Sequence, residues 1–186
     1  MKRTILALGT AFCLLSGCAP HAEEPQGLAL ARVLGVDGGE EITLSVLCPG
    51  QQGEEPVVGQ VCAPEFCAAR AILPAAGERE VALTNLSYLI INKEADLAAV
   101  LLEVLWDREM SPSATVWYAE DAAELLKEGT DPAGRLDVLS DHGADAPTVV
   151  NALAKLEHCG TVRLPVLEVE DGQIVEEGSV LWKAEN

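Results

Sequence analysis

The chain has 186 residues, 49% of them hydrophobic and 4% aromatic, with 12 basic against 30 acidic residues and a formal charge of −18. That length can bury a real core and fits one ordinary domain, or one domain with a small appended module. Lys2 and Arg3 are the only charges before Cys18, so the remainder carries 10 basic and 30 acidic residues, −20; this argues against nucleic acid as a partner and against a basic patch as a means of membrane attachment.

Met1-Lys2-Arg3 is a short basic start, followed by an apolar run of eleven residues from Ile5 to Leu15. A bilayer span needs about 20 residues, so the run has the length of an export signal, and residues 1–17 read as a removed leader. Leu15-Ser16-Gly17-Cys18 resembles the lipobox of bacterial lipoproteins, in which cleavage precedes the cysteine and its sulfur receives a diacylglycerol. The plain alternative is an ordinary secretory signal with a chance cysteine. Cys18 is the expected lipid attachment site. At about 0.8 kcal/mol per buried methylene, two or more acyl chains hold a protein on a membrane stably. Residues 18–27 contain Pro20, Glu23, Glu24 and Pro25 without an apolar pattern, and read as a tether.

Leu28 to Val36 and Ile42 to Leu47 flank Asp37-Gly38-Gly39-Glu40, a hairpin signal. Ile42, Leu44 and Val46 would form a buried face and Thr43 and Ser45 a wet one. Pro49 to Gln60 mixes Gly, Gln, Glu and Pro and reads as a surface loop. Pro64 to Ala76 suits a helix with Phe66, Ala69 and Leu73 on one side and Pro64 in the first turn.

The period of the apolar residues then changes twice between Val81 and Leu126. Residues 85–91 read as a strand with two apolar faces, 94–106 as a helix, 114–119 as a second strand, and 124–127 as part of another helix. Leu97, Ala98, Leu101, Leu102 and Leu105 make the first helix's stripe; Asn92 is the expected N-cap and Asp96 an early negative charge. A crossover of this length suits parallel strands. No Gly-rich phosphate loop interrupts the unit, which therefore reads as architecture.

Gly129 to Gly143 is a Gly-, Asp- and Pro-containing break around Leu136 to Leu139, a soft boundary. Asp145-Ala146-Pro147 reads as the start of a helix capped by the carboxylate, with Val149, Val150, Leu153 and Leu156 on its apolar face and Gly160 as its stop. Asp171-Gly172 between two apolar runs is a second hairpin signal. The fold class is α/β (α+β): a mixed sheet with a central βαβ unit, helices packed on it, and a C-terminal β-hairpin. Residues 28–130 read as an N-terminal α/β domain and 131–186 as a smaller helix-plus-hairpin module, separate from the first or continuous with it.

Candidate chemistry is sparse. Cys48, Cys62, Cys67 and Cys159 follow Cys18; they could form a disulfide in an exported protein, or a zinc site with His158, but they lack the short paired spacings of zinc ligands, and unpaired thiols are the plain reading. Ser140-Asp141-His142 places a hydroxyl, a carboxylate and an imidazole together, yet triads converge in space and neighbours in a Gly-containing loop are usually a turn. Asp37 and Gly38 are explained as turn formers without a bound cation. His158 suits a helix C-terminus. Glu168, Glu170, Glu176 and Glu177 read as a solvated acidic face. No catalytic residue, metal ligand or cofactor is expected.

Four pieces together resemble the Ger(x)C family, the C-subunit lipoproteins of spore germinant receptors. They are the lipobox at Cys18; Ala31-Arg32-Val33-Leu34-Gly35-Val36-Asp37; Leu86-Ser87-Tyr88-Leu89-Ile90-Ile91 with its helix and Trp106-Asp107-Arg108-Glu109; and Leu164-Pro165-Val166 with Gly178-Ser179-Val180-Leu181-Trp182-Lys183. The likeness covers most of the chain after Cys18, as a shortened member without the family's further C-terminal domain. It implies a non-enzymatic subunit anchored by lipid on the outer face of the cytoplasmic membrane or the inner spore membrane. Its implied partners are integral-membrane germinant receptor subunits, met by protein contact in nutrient-triggered germination. The alternative expectation is a small-ligand-binding lipoprotein of a transporter or sensor, or, further off, a surface hydrolase using His142 or a cysteine.

Overall fold

The computed structural model describes residues 28–48, 56–76 and 79–184; the leader, Cys18 and the 18–27 tether lie outside the described residues. The chain begins there with a short strand, β1 (Leu28–Leu30), and then forms the first expected hairpin, β2 (Val33–Asp37) antiparallel to β3 (Ile42–Cys48), Leu34 opposite Val46. A further antiparallel strand, β4 (Val57–Ala63), lies beside β3. The surface loop expected at Pro49 to Gln60 is therefore partly strand. Val57, Val58 and Val61 favour extended backbone, and the Gly, Gln and Glu around them hid that preference.

The helix α1 (Phe66–Ile72) tightens into a 3-10 turn at Leu73–Ala75 and buries Phe66, Ala69 and Leu73 as their spacing predicts. Pro64 precedes its N-cap residue Glu65 and does not sit in the first turn. β5 (Glu80–Ala82) pairs in parallel with β1 as a separate two-stranded sheet.

The central run has the order its periodicity predicts: β6 (Tyr88–Ile91), α2 (Leu97–Trp106), β7 (Thr115–Tyr118) and α3 (Ala122–Glu128). β6 is parallel to β2 on one side and to β7 on the other, and all its residues are buried. Two details of α2 differ from expectation. Its N-cap is Asp96, whose carboxylate accepts the Ala99 N–H at 3.1 Å, while Asn92 acts upstream of the helix. Its buried stripe is Leu97, Val100, Leu101 and Val104; Leu102 and Leu105 are 40% and 38% exposed. Val100 and Val104 complete the stripe at helical spacing, turning the outer leucines toward solvent.

The break expected at 129–143 holds a helix, α4 (Pro132–Asp141), capped by Asp131 through the Gly134 N–H at 3.2 Å. Only Pro132 and Leu136 of this helix are buried, so it carries too little apolar pattern to announce itself. α5 (Val149–Cys159) is capped by the hydroxyl of Thr148, not by Asp145; Val149, Ala152, Leu153 and Leu156 are buried, and Val150 faces out. Gly160 ends it in the left-handed region, φ 69°. The last hairpin, β8 (Thr161–Glu170) with β9 (Gln173–Lys183), turns on Asp171 and Gly172, φ 52° and 76°.

The main sheet is mixed, with strand order β4-β3-β2-β6-β7-β8-β9. One face packs Leu34, Val36, Leu89, Ile91 and Val116 against α1, α2 and α5; the other packs Val33, Ile90, Trp117 and Leu167 against α3 and α4. Ser45, expected on a wet face, is fully buried because α3 lies over β2 and β3 there; Gln60 Nε2 donates to its Oγ at 3.0 Å. β8 meets β7 only at Tyr118 and Val166, since the first half of β7 is occupied by the segment before α5: Val116 N–H donates to Pro147 C=O at 2.8 Å and Val149 N–H to Ala114 C=O at 2.9 Å.

A Cβ added at Gly38 would overlap the backbone of Glu94 and Ala95, the turn that leads into α2. Backbone cannot rotate aside as a flexible side chain can, so Gly38→Ala is expected to cost about 3 kcal/mol, the upper end of ordinary overpacking. The check is urea unfolding of the variant beside wild type.

Candidate functional site

The parallel strands β2, β6 and β7 all end at one edge of the sheet, the edge at which α/β folds most often bind ligands. Here its polar groups are turned onto the chain's own backbone. Asp37, the last residue of β2, accepts the N–H of Ala122 at 2.8 Å and of Ala123 at 3.0 Å, holding the start of α3. Burial pushes its carboxyl above the usual range, and those two N–H donors pull it back. Asn92, just past β6, is 8% exposed; its Oδ1 accepts from Gly38 N at 2.9 Å and Ala95 N at 3.1 Å. Both residues thus act as internal ties.

Beyond them, where β7 leaves the sheet and β8 runs on, an open groove of about 570 Å³ separates α3 from β8. Its walls carry Glu120, Asp121, Glu124, Glu128 and Glu168 over a floor that includes Leu125 and Leu167. At the nearby hairpin the charges of Glu168 and Glu170 raise the pKa of the fully exposed Glu177. This end of the molecule is a field of mutually repelling carboxylates.

At the opposite edge, where the parallel strands begin, Arg32 grips Asp137 of α4 with both terminal nitrogens, at 3.1 and 2.7 Å. The buried Tyr88 donates its hydroxyl to the same carboxylate, and the Arg32 guanidinium stands 5.8 Å from the Tyr88 ring centre. Both partners of the ion pair remain over two-fifths exposed, 43% and 44%, so it positions α4 more than it stabilises the fold. Arg32 and Tyr88 hold the Asp137 carboxyl below its ordinary range. Burial, then the bond to Asp137, push the Tyr88 phenol up to about 12. A shallower polar groove of about 450 Å³, lined by Arg32, Asn85, Ser87, Ser111 and Ser113, opens beside this clip. Sequence reasoning missed the clip: its acceptor sits on α4, and 105 positions separate the two charges.

The other residues named from sequence are dispersed. Cys48 is buried; Cys62, Cys67 and Cys159 are exposed, and all four thiols are free. Cys62 lies 3.3 Å from the Thr43 hydroxyl and Cys67 donates weakly to Glu65 at 3.7 Å. His142 is the exposed C-cap of α4, with Asp141 exposed before it and the Ser140 Oγ buried without a hydrogen bond to either. His158 is exposed in the last turn of α5. Among the described residues no group of three or more His, Cys, Asp or Glu side chains is placed to hold a metal ion, and no helix is long and apolar enough to cross a membrane. Cys18 lies outside the described residues.

No family model, curated protein or solved structure matches this chain.

The bond from Tyr88 to Asp137 needs a protonated phenol and an ionised carboxyl. Asp137, with its folded pKa depressed, contributes stability above its unfolded value near 3.8 and loses it as pH falls through the lower folded value. Tyr88 contributes below its unfolded value near 10.0 and loses that contribution as pH rises through about 12. Ultraviolet titration of the two tyrosines should show a late phenolate step near 12. It should vanish in Tyr88→Phe and move partway down in Asp137→Asn.

Proposed function

We propose that this chain is a lipid-anchored, non-enzymatic subunit resembling the C component of a spore germinant receptor, acting by protein–protein contact in nutrient-triggered germination. The observation that carries the reading is Leu15-Ser16-Gly17-Cys18 directly after an apolar run of eleven residues. It supplies a membrane address for a body whose own charge would keep it off anionic lipid. The partners are integral-membrane receptor subunits, and the location is the outer face of the cytoplasmic membrane or the inner spore membrane.

In the folded body, residues that carry the likeness hold elements together. Gly35-Val36-Asp37 seats α3, and Asp107 and Glu109 after α2 receive the guanidinium of Arg70 from α1. These are architectural tasks, and the function rests on the anchor and the surface beyond them.

A second reading, a small-ligand carrier for a transporter or sensor, has one observation on its side. The groove of about 570 Å³ falls within the volume range of ligand sites, and its carboxylate walls would select a cationic ligand.

Cys18→Ala is expected to move the protein from the membrane fraction to the soluble fraction and to remove the acyl mass from the mature N-terminal peptide. Unchanged fractionation would overturn lipidation. Capture from spore membranes with the anchored chain as bait should recover polytopic membrane subunits; recovery of none from intact receptor-bearing membranes would overturn the receptor role while leaving the anchor in place.

A further inference from the structure

We propose that the end of the domain where the parallel strands begin rests on the bilayer, with Trp106 seated in the interfacial layer and the acidic end held away from it. The proposal rests on Cys18 as the anchor and adds an orientation to it. Two groups of residues meet at this end. α2 runs back along the sheet between β6 and β7, so its last residue, Trp106, lies beside the strand starts and is 79% exposed. Leu102, four residues before Trp106 and so on its face, is exposed on the same helix, and Leu105, three residues after Leu102, is exposed beside it. The chain arrives at the same end. β1 passes through Ala31 and Arg32 into β2, with Ser87 N–H donating to Arg32 C=O and Thr115 N–H to Ser87 C=O, both at 2.9 Å, so three strand starts stand side by side. Leu30, 41% exposed, is on that incoming strand.

Length then restricts what the anchor can reach. Ten residues lead from Cys18 to Leu28, at most about 35 Å of chain. A domain of this length has a radius of gyration of about 15 Å, so the tether is no longer than the body is wide. The strand-start end is the one it delivers to the membrane without wrapping the protein.

Charge acts in the same direction. At the far edge Asp37, Glu94, Asp96, Glu120 and Asp121 follow the strand ends with Lys93 as the one cation among the residues just past β6 and β7. At the strand starts Arg32 faces Asp137, Arg70 faces Asp107 and Glu109, and Arg108 is exposed. Glu103, exposed one turn before Trp106, and Asp131, whose charge acts on Arg32, add acid to this second end. Cations and acids alternate there, so an anionic leaflet repels it less than the first end within a screening length of about 8 Å. Trp is the side chain best suited to the boundary between headgroups and acyl chains.

The test uses the full chain, lipidated in a bacterial host, purified in detergent and reconstituted into phosphatidylcholine vesicles containing a minority of phosphatidylglycerol, with and without dibrominated phosphatidylcholine. The chain has three tryptophans; Trp117 is fully buried and Trp182 packs edge-on against Tyr118. The emission difference between wild type and Trp106→Phe therefore reports Trp106. Brominated lipid should abolish most of that difference, and acrylamide should quench it less on vesicles than in detergent-free solution of the Cys18→Ala chain. If the protein floats with the vesicles but the Trp106 component is untouched by bromine, the orientation is overturned and the anchor stands. If it does not float, the anchor fails, and the orientation fails with it.

Discussion

The layers of this domain are held together at the end of β2. Within Gly35-Val36-Asp37-Gly38, the two glycines let both helical layers approach: a Cβ at Gly35 would stand 3.1 Å from the Ala122 Cβ on one face, and Gly38 abuts the Ala95 backbone at the start of α2's turn. Between them Asp37 takes the first N–H groups of α3, and the Gly38 N–H donates to Asn92. Four consecutive residues of one strand end therefore set where α3 sits below the sheet and how the chain leaves β6 for α2 above it. Substituting any of them disturbs more than a turn. The charge on Asp37 is kept partly desolvated, and its carboxyl is satisfied only while α3 is in place.

That arrangement explains which parts of the fold could be read from the chain. β6, α2, β7 and the two Gly-containing hairpins were legible because their signals are local: an apolar period, or a dipeptide that needs positive φ. β4 and α4 were not, since each rests on a surface supplied by distant elements. β4 borrows its register from β3, and α4 buries little beyond Leu136 and is fixed by Asp137 reaching back to Arg32. The caps illustrate the same limit on a smaller scale. Asn92 and Asp145 have the right chemistry, but Asp96 and Thr148 stand immediately before the first free N–H groups and take the role. Ser45 was assigned to solvent by alternation alone, which holds only for a sheet covered on one side.

For the candidate site the limit is more severe. Asp37 was legible as a turn former and its second role was not, because the amides it binds lie 85 and 86 positions away. The acidic residues near the last hairpin were legible as a solvated face; that Glu120, Asp121 and Glu124 join Glu168 across a groove depends on the single point where β7 and β8 meet before diverging. Divergence there has a covalent contribution: Pro165 has no N–H to offer a neighbour, and the β8–β9 ladder shifts register between Pro165 and Leu167.

An uneven charge distribution also has a cost that bears on how such a body works. Carboxylates gathered at one end repel one another, as the raised pKa of Glu177 registers, and Lys127 on α3, which acts on Asp37, offsets only part of that charge. A soluble monomer gains solubility from such a surface wherever it is placed. A body tied by one end to an anionic membrane gains something further, because the same repulsion turns its acidic end toward the aqueous phase, where a partner's cations could meet it. In the proposed orientation the exposed Trp106 at the end of α2 and the carboxylates beyond β7 would have separate environments, one at the lipid boundary and the other in water. The internal ties at Asp37 and Asn92 fix the start of α3 and the turn into α2 to the same strand ends, so the helices on both faces keep their relation to the sheet.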